Sequence, residues 1–479
     1  MSVKQNIFYS VMLNILRQTF PIITAPYISR VLGVENVGLT SFVMSYVGYF
    51  VLFATLGVGY YGVREIAKYK DNPEQVSYLF SGIFQINLIA TLVTTIVYLT
   101  TIFYIPDMRR DWIVFVLAGL TLYLSPVSID WYFQGLEKFK MITIRSLIIK
   151  CLTFAGLFVF VRQREDVLPY ILLSVSAVVL TDIWNMAYAK RQGLKILWRN
   201  VKITVHLKPM LILFISTIAI SIFTALDTVM LGFLSSYEEV GFFTSPHKII
   251  VAIMAGFSAI NTALLPRLAF NNQQNNEKAN LSLFQKTLDI NLLLIVPIAI
   301  GLCLISTRFV PLFLGNEFYG SIVPMQILSF KVIVVMINSF LGTSILLALG
   351  YDNKFVKVLI WTALFAFIIK WIFIPKFGAV GASWTSLAAE TIEVFLNLYF
   401  VYKFTKIRLN WRFIWTSILF TFPLFILYVF FNRIITNDIL FIGILVVSSA
   451  VTYITLQRFV AKNYLVIQII NLITNKFKK

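Results

Sequence analysis

The chain has 479 residues, 59% of them hydrophobic and 13% charged, with a mean hydropathy of +0.84. Soluble domains carry about 25% charged and about 45–50% apolar residues, so the composition excludes a soluble enzyme, a nucleic-acid binder and a disordered chain as readings of the whole. The net charge of +19 fits a membrane protein: Lys and Arg cluster in short hydrophilic breaks between apolar runs, where they meet the cytoplasmic lipid surface.

A helix needs about 20 apolar residues to cross ~30 Å of hydrocarbon. Runs of that kind occupy residues 6–30, 37–62, 76–105, 111–133, 141–162, 167–189, 209–233, 240–263, 286–307, 322–349, 354–375, 380–402, 411–432 and 438–457, which predicts fourteen transmembrane helices. Runs this long exclude a β-barrel, whose strands of ~10 residues alternate strictly. MSVKQ leads into a first run too long for a cleavable signal and without an A-x-A site, so it is expected to remain as a helix. Pro21 and Pro26 predict a bend in span 1. GVGYYG, 57–62, loosens the end of span 2. The longest breaks are 190–208 and 264–285, the second rich in Asn and Gln. The abundant Phe and Tyr are expected at lipid contacts and interface belts. Cys151 and Cys303 lie in apolar runs, and His206 and His247 have no ligand-spaced companions, so no metal, no cofactor and no disulfide framework is expected.

Orientation follows from the basic residues. With the N-terminus inside, the cytoplasmic breaks carry 27 Lys and Arg, including Lys138, Lys140 and Arg145, and the outer breaks carry 8. That imbalance puts both termini in the cytoplasm and requires an even number of spans.

The chain also contains a copy of itself. GVENVGLTSF, 33–42, matches SYEEVGFFTS, 236–245, pairing Glu35 with Glu238, Val37 with Val240 and Gly38 with Gly241; Arg64 meets Arg267 at the same offset. FQGLEKFK, 133–140, echoes ALGYDNKF, 348–355. Two six-helix copies entering from the same side form a parallel repeat, related by an axis along the membrane normal. The expected architecture is therefore all-α and polytopic. Two pseudo-symmetric lobes, 1–205 (helices 1–6) and 206–405 (helices 7–12), enclose a central cavity; helices 13–14 and a basic cytoplasmic tail, 406–479, are appended. Rocking of the lobes would give alternating access.

An ionisable group at mid-bilayer costs ~2.5–3.5 kcal/mol on insertion scales, so it should lie near an end, pair, or line a wet cavity. Arg17 in span 1, Lys150 in span 5, Asp227 in span 7, Lys248 in span 8 and Lys331 in span 10 are candidates to line the cavity and meet substrate; for each, the competing role is a structural ion pair. Asp182 in span 6 and Asp289 in span 9 lie nearer helix ends. Glu390 and Glu393, at i and i+3, share one helix face. They, with Asp289, are candidates for a coupling cation or proton, against the alternative of a polar face packed on a neighbour. A cleft with this many bases suits an anion with a bulky polar group.

Several motifs carry a resemblance: PYISRVLGVENVGLTSFVMSYVGYFVLFATLGVGYYGVREIA, 26–67; DWYFQGLEKFK, 130–140; LDTVMLGFLSSYEEVGFFTSPHKI, 226–249; LLPRLA, 264–269; and IPKFGAVGASWTSLAAE, 374–390. In this order and spacing the whole chain resembles the polysaccharide-transporter branch of the multidrug/oligosaccharidyl-lipid/polysaccharide exporter superfamily, the Wzx-type flippases. The resemblance implies two V-shaped lobes around a cationic cavity. It implies a substrate of undecaprenyl-diphosphate-linked oligosaccharide, moved from the inner to the outer leaflet of a bacterial plasma membrane for capsule, exopolysaccharide or O-antigen synthesis. A polysaccharide polymerase and a chain-length regulator would be partners, and nucleic acid would not. By position it points to Arg17 as a substrate base, and to Arg30 and Arg64, with Arg267 as the repeat counterpart of Arg64, at the cavity mouths. Asp227 stands in the LD…MLG segment. A multidrug cation exporter, a lipid II flippase and an integral membrane polymerase are the alternatives. The first would want acidic groups in span 1, and the last a large outer loop.

Overall fold

The computed structural model describes residues 3–273, 277–347, 349–405 and 411–467; among them the chain is helical, with no strand. It divides into two compact units, Met1–Gly241 and Phe242–Lys479. Eleven helical stretches among the described residues are long and apolar enough to cross a membrane, so the chain is a polytopic all-α membrane protein.

The first unit holds α1 (Val3–Thr55), α2 (Val58–Lys68), α3 (Pro73–Tyr104), α4 (Pro106–Arg110), α5 (Trp112–Ala118), α6 (Leu120–Tyr123), α7 (Asp130–Gly135), α8 (Phe139–Phe160), α9 (Val167–Arg191) and α10 (Thr204–Leu234), followed by the start of α11 (Tyr237–Gln273). Helix α1 is longer than one crossing needs. It turns at Gly33, whose φ of 74° and ψ of 172° lie where a side chain is strained, leaving a limb about one bilayer long on either side. The backbone stays helical through Pro21 and Pro26, and helical φ/ψ is lost within α1 at Gly33. Pro21 has no N–H, which deprives the carbonyl of Arg17 of its helical partner. The second break falls at Leu56 and Gly57 (φ 75°), the latter the first residue of GVGYYG, and the rest of that motif is helical at the start of α2.

Span 4 differs from its expectation. The run 111–133 is no single helix. Gly119 separates α5 from α6, and a 3₁₀ turn over Ser125–Val127, containing Pro126, precedes α7. Broken helices are tolerated in a bilayer where they face protein or water.

The aromatic residues also depart from a purely lipid-facing role. Phe42, Phe80, Phe115 and Phe133 are fully buried. Phe80 stacks on Trp131 with ring centroids 5.4 Å apart, and Phe42 meets Phe115 edge-on at 6.0 Å.

The break between α9 and α10 is tied down by side chains of α3. Ser81 Oγ accepts from the Leu197 amide at 2.8 Å, Gln85 Nε2 donates to the Leu197 carbonyl at 2.6 Å, and the Tyr78 hydroxyl accepts from the Lys202 amide at 3.0 Å. The two segments matched in sequence, 33–42 and 236–245, touch at residues of this unit. A Cβ on Gly38 would collide with the Tyr237 carbonyl and the Gly241 amide, and one on Gly241 with the Val34 carbonyl, so the two backbones touch where glycine allows it.

The second unit contains the rest of α11, then α12 (Glu277–Leu314), α13 (Ile322–Ser339), α14 (Asp352–Phe404), α15 (Trp411–Leu419), α16 (Phe422–Ile434) and α17 (Asp438–Phe459). The polar stretch 264–285 is not an open break: α11 runs to Gln273 and α12 starts at Glu277. Helix α14 repeats the design of α1, turning at Gly378 (φ 50°) into two limbs. A π-helical segment, Phe340–Leu347, follows α13. Arg308 near the end of α12 clamps the turn between α16 and α17. It donates to the Asn432 side chain at 2.8 Å and the Ile435 carbonyl at 2.8 Å, reaches Asp438 at 3.3 Å, and lies 4.1 Å from the Phe441 ring centre.

Candidate functional site

In the first unit the charges gather on α1, α7, α8 and α9. Arg17 donates from Nη2 to Asp130 Oδ2 at 3.0 Å, while Arg145 donates from its own Nη2 to Asp130 Oδ1 at 3.1 Å. One carboxylate thus bridges two guanidiniums through different oxygens. Asn185 Nδ2 adds a third hydrogen bond to Oδ1 at 2.8 Å, and Arg145 Nη1 donates to Asn185 Oδ1.

The two halves of this bridge differ in burial. Arg145 is 2% exposed and Asn185 fully buried, whereas the Arg17 side chain is 46% exposed. A buried pair broken on one side costs about 3–5 kcal/mol because it strands a charge. A half-open pair contributes only ~0–1 kcal/mol. The Arg145 half is therefore a fixture and the Arg17 half an exchangeable contact. Lys150, half-buried on α8, lies 5.0 Å from the centre of the Phe20 ring and within electrostatic reach of Arg17. Asp182 on α9 is buried near Asp130 and Arg145. The structure thus unites Arg17 and Lys150 around Asp130, Arg145 and Asn185, none of which sequence reasoning singled out. Arg145 needs correcting: counted in a cytoplasmic break, it lies inside the bundle as a buried counter-charge. The signal was available, since Asp130 and Arg145 both fall within apolar runs.

The remaining first-unit candidates stand elsewhere. Asp227 is buried on α10, and the hydroxyl of nearby Tyr49 bonds the Ser221 carbonyl at 3.2 Å. Arg30 is exposed on α1. Arg64 is exposed on α2, bonded to Glu65 at 3.1 Å, with its guanidinium 5.5 Å from the Tyr61 ring centre. The Arg267 side chain lies outside the described residues.

The second unit has its own polar network on α13 and α14. Lys331, 3% exposed, donates to Ser386 Oγ at 2.6 Å. Asn338 donates to Glu390 at both its carboxylate (2.8 Å) and its carbonyl (2.9 Å), and Asn397 donates to Asn338 at 3.4 Å. Glu393 is buried beside Glu390 and within electrostatic reach of Lys331. The expected shared face of Glu390 and Glu393 is there, and it packs against α13. Asp289 answers to other neighbours: Gln285 donates to it at 2.9 Å, and Tyr464 approaches it. Lys248 is half-buried on α11. Lys370, fully buried on α14, is a further basic residue that the sequence reading passed over. An apolar cavity of about 500 Å³ lies between α12, α16 and α17, walled by Leu293, Pro297, Ile298, Leu424, Leu445 and Tyr453; none of the candidate charges lines it. Among the described residues, no three of His, Cys, Asp or Glu converge as a metal site would require.

Comparison with known proteins gives a consistent picture. The family described as polysaccharide biosynthesis protein matches residues 3–271. A protein of Escherichia coli (strain K12) named "Putative O-antigen transporter" is 26% identical over 411 residues, covering 84% of this chain and 97% of that protein. Among solved structures, the inward closed conformation of the lipid II flippase MurJ superposes with a TM-score of 0.78 at 14% identity, over 96% of this chain and 99% of that one. An inward-facing multidrug resistance MATE family transporter of the MOP superfamily superposes at 0.63 and 13% identity, over 82% and 97%. At these identities the two superpositions speak for the fold alone.

Proposed function

This chain belongs to the polysaccharide biosynthesis protein family, and from that premise we propose that it is a flippase for lipid-linked oligosaccharide. It is a carrier and not an enzyme. The supporting observation is an open guanidinium, Arg17, on an apolar helix of a chain that matches an O-antigen transporter by name along most of its length. The cargo is a polyprenyl diphosphate bearing a sugar repeat unit, moved from the inner to the outer leaflet of a bacterial plasma membrane.

In this reading fourteen spans form lobes 1–205 and 206–405 around a central cavity, with 406–479 appended and both termini cytoplasmic. Arg17 and Lys150 receive the diphosphate; Asp227, Lys248 and Lys331 line the same path, and Arg30, Arg64 and Arg267 guard its mouths. The apolar lipid tail remains in hydrocarbon while the polar head crosses beside the bases. Two negative charges moving outward down 100 mV release ~4.6 kcal/mol, enough to bias export without another gradient. Glu390, Glu393 and Asp289 offer a second drive by cation or proton exchange. A polymerase and a chain-length regulator take the product.

Replacing Arg17 by Ala removes a charge-assisted phosphate contact of about 1.5–3 kcal/mol, so flux should fall ~10–100-fold. Surface polysaccharide should disappear from cells that still hold normal amounts of the protein. Unchanged polymer at normal expression would overturn this role.

A further inference from the structure

The basic cluster has a carboxylate at its centre, and Asp130 is built asymmetrically. On one side, Oδ1 is held by Arg145 and Asn185, both buried. On the other, Oδ2 touches Arg17, which is nearly half exposed. Asp130 itself sits at the start of α7, directly after the broken part of span 4. Burial fixes the inner side; exposure frees the outer one. A carboxylate offers Arg17 the same planar pair of oxygens as a phosphate does.

We propose that Asp130 is an internal counter-anion that holds the Arg17 guanidinium when no substrate is bound, yields it to the cargo's diphosphate, and reclaims it on release. This inference rests on the flippase reading and extends it from binding to turnover. A carrier needs binding strong enough to admit the cargo and weak enough to let it go. Arg17, Arg145 and Lys150 without a competing anion would form a trap. Arg145 is the positioning residue: tied to Asn185 and Asp130, it keeps the carboxylate in place after Arg17 has left. No covalent step is involved; one guanidinium changes partners.

The experiment uses the full chain in nanodiscs of neutral phosphatidylcholine, with undecaprenyl diphosphate as the probe. Binding is followed by tryptophan fluorescence, and leaflet exchange of a fluorescent diphosphate lipid is followed in vesicles. Asp130→Asn keeps an acceptor for Arg145 and removes the charge competing for Arg17. It should bind the probe about fivefold more tightly, the scale of losing one half-exposed ion pair, while exchanging it more slowly. Asp130→Glu should restore wild-type behaviour. If Asp130→Asn alone fails to fold because Arg145 is stranded, the swap Asp130→Asn with Asn185→Asp returns a carboxylate to Arg145 and not to Arg17; it should show the same tight, slow phenotype. If wild type binds, Arg17→Ala weakens binding, and the folded Asp130 variant binds equally or less tightly, the counter-anion is overturned and the flippase reading stands. If Arg17→Ala binds as wild type does, both fall.

Discussion

A single carboxylate outside the spans shows what one residue can set. Asp166 precedes α9 and accepts the amides of Arg162 and Gln163 at 2.8 and 2.9 Å. Those two N–H donors favour the charged form and hold its pKa below the usual carboxylate range. Because the folded pKa is depressed, the turn's extra stability is complete above the unfolded value of about 3.9 and is lost as pH falls through the folded one. Hydrogen exchange at the amides of 162 and 163 should therefore show constant protection from pH 8 to 5 and decline below about pH 4. Asp166→Asn should remove the acid-dependent decline. Such a residue is legible in sequence only as a polar loop position. Arg17 was legible as a charge in the wrong solvent, but its partner Asp130 is far away in sequence and comes close only when broken span 4 turns it inward.

At the level of helices, period and length read well and interruptions read poorly. The apolar runs anticipated the long helices, and Asn72 and Asn437 mark two N-termini, each side chain accepting an amide three residues on at 3.1 Å. Where breaks fall depends on whether neighbours or water satisfy the freed backbone, which hydropathy does not report. Hence Pro21 and Pro26 were carried inside α1, while Gly119 and the Pro126 turn divided span 4. The clamp at the end of α12 belongs to this scale. Arg308 spreads its donors over a side chain, two carbonyls and a carboxylate, a fork that lysine cannot reproduce. Arg308→Lys should lower stability by about 1–3 kcal/mol, read as a lower melting temperature in detergent. Equal melting of variant and wild type would remove the clamp from the account of how α16 and α17 are held.

Across the whole chain, the composition was enough for the fold class, because 59% apolar residues can be hidden only in lipid. The sequence match of 33–42 with 236–245 aligns Gly38 with Gly241, though sequence alone gave no sign that the two segments press against each other. That contact links the fates of the two positions. Each glycine vacates space for the other's strand of backbone, so neither is free to drift by itself. In a saturation library selected for surface expression, positions 38 and 241 should return glycine almost exclusively. Gly48 and Gly59, where an added methyl would meet open space, should accept alanine freely. Two segments that match in sequence thereby share a constraint that neither could carry alone.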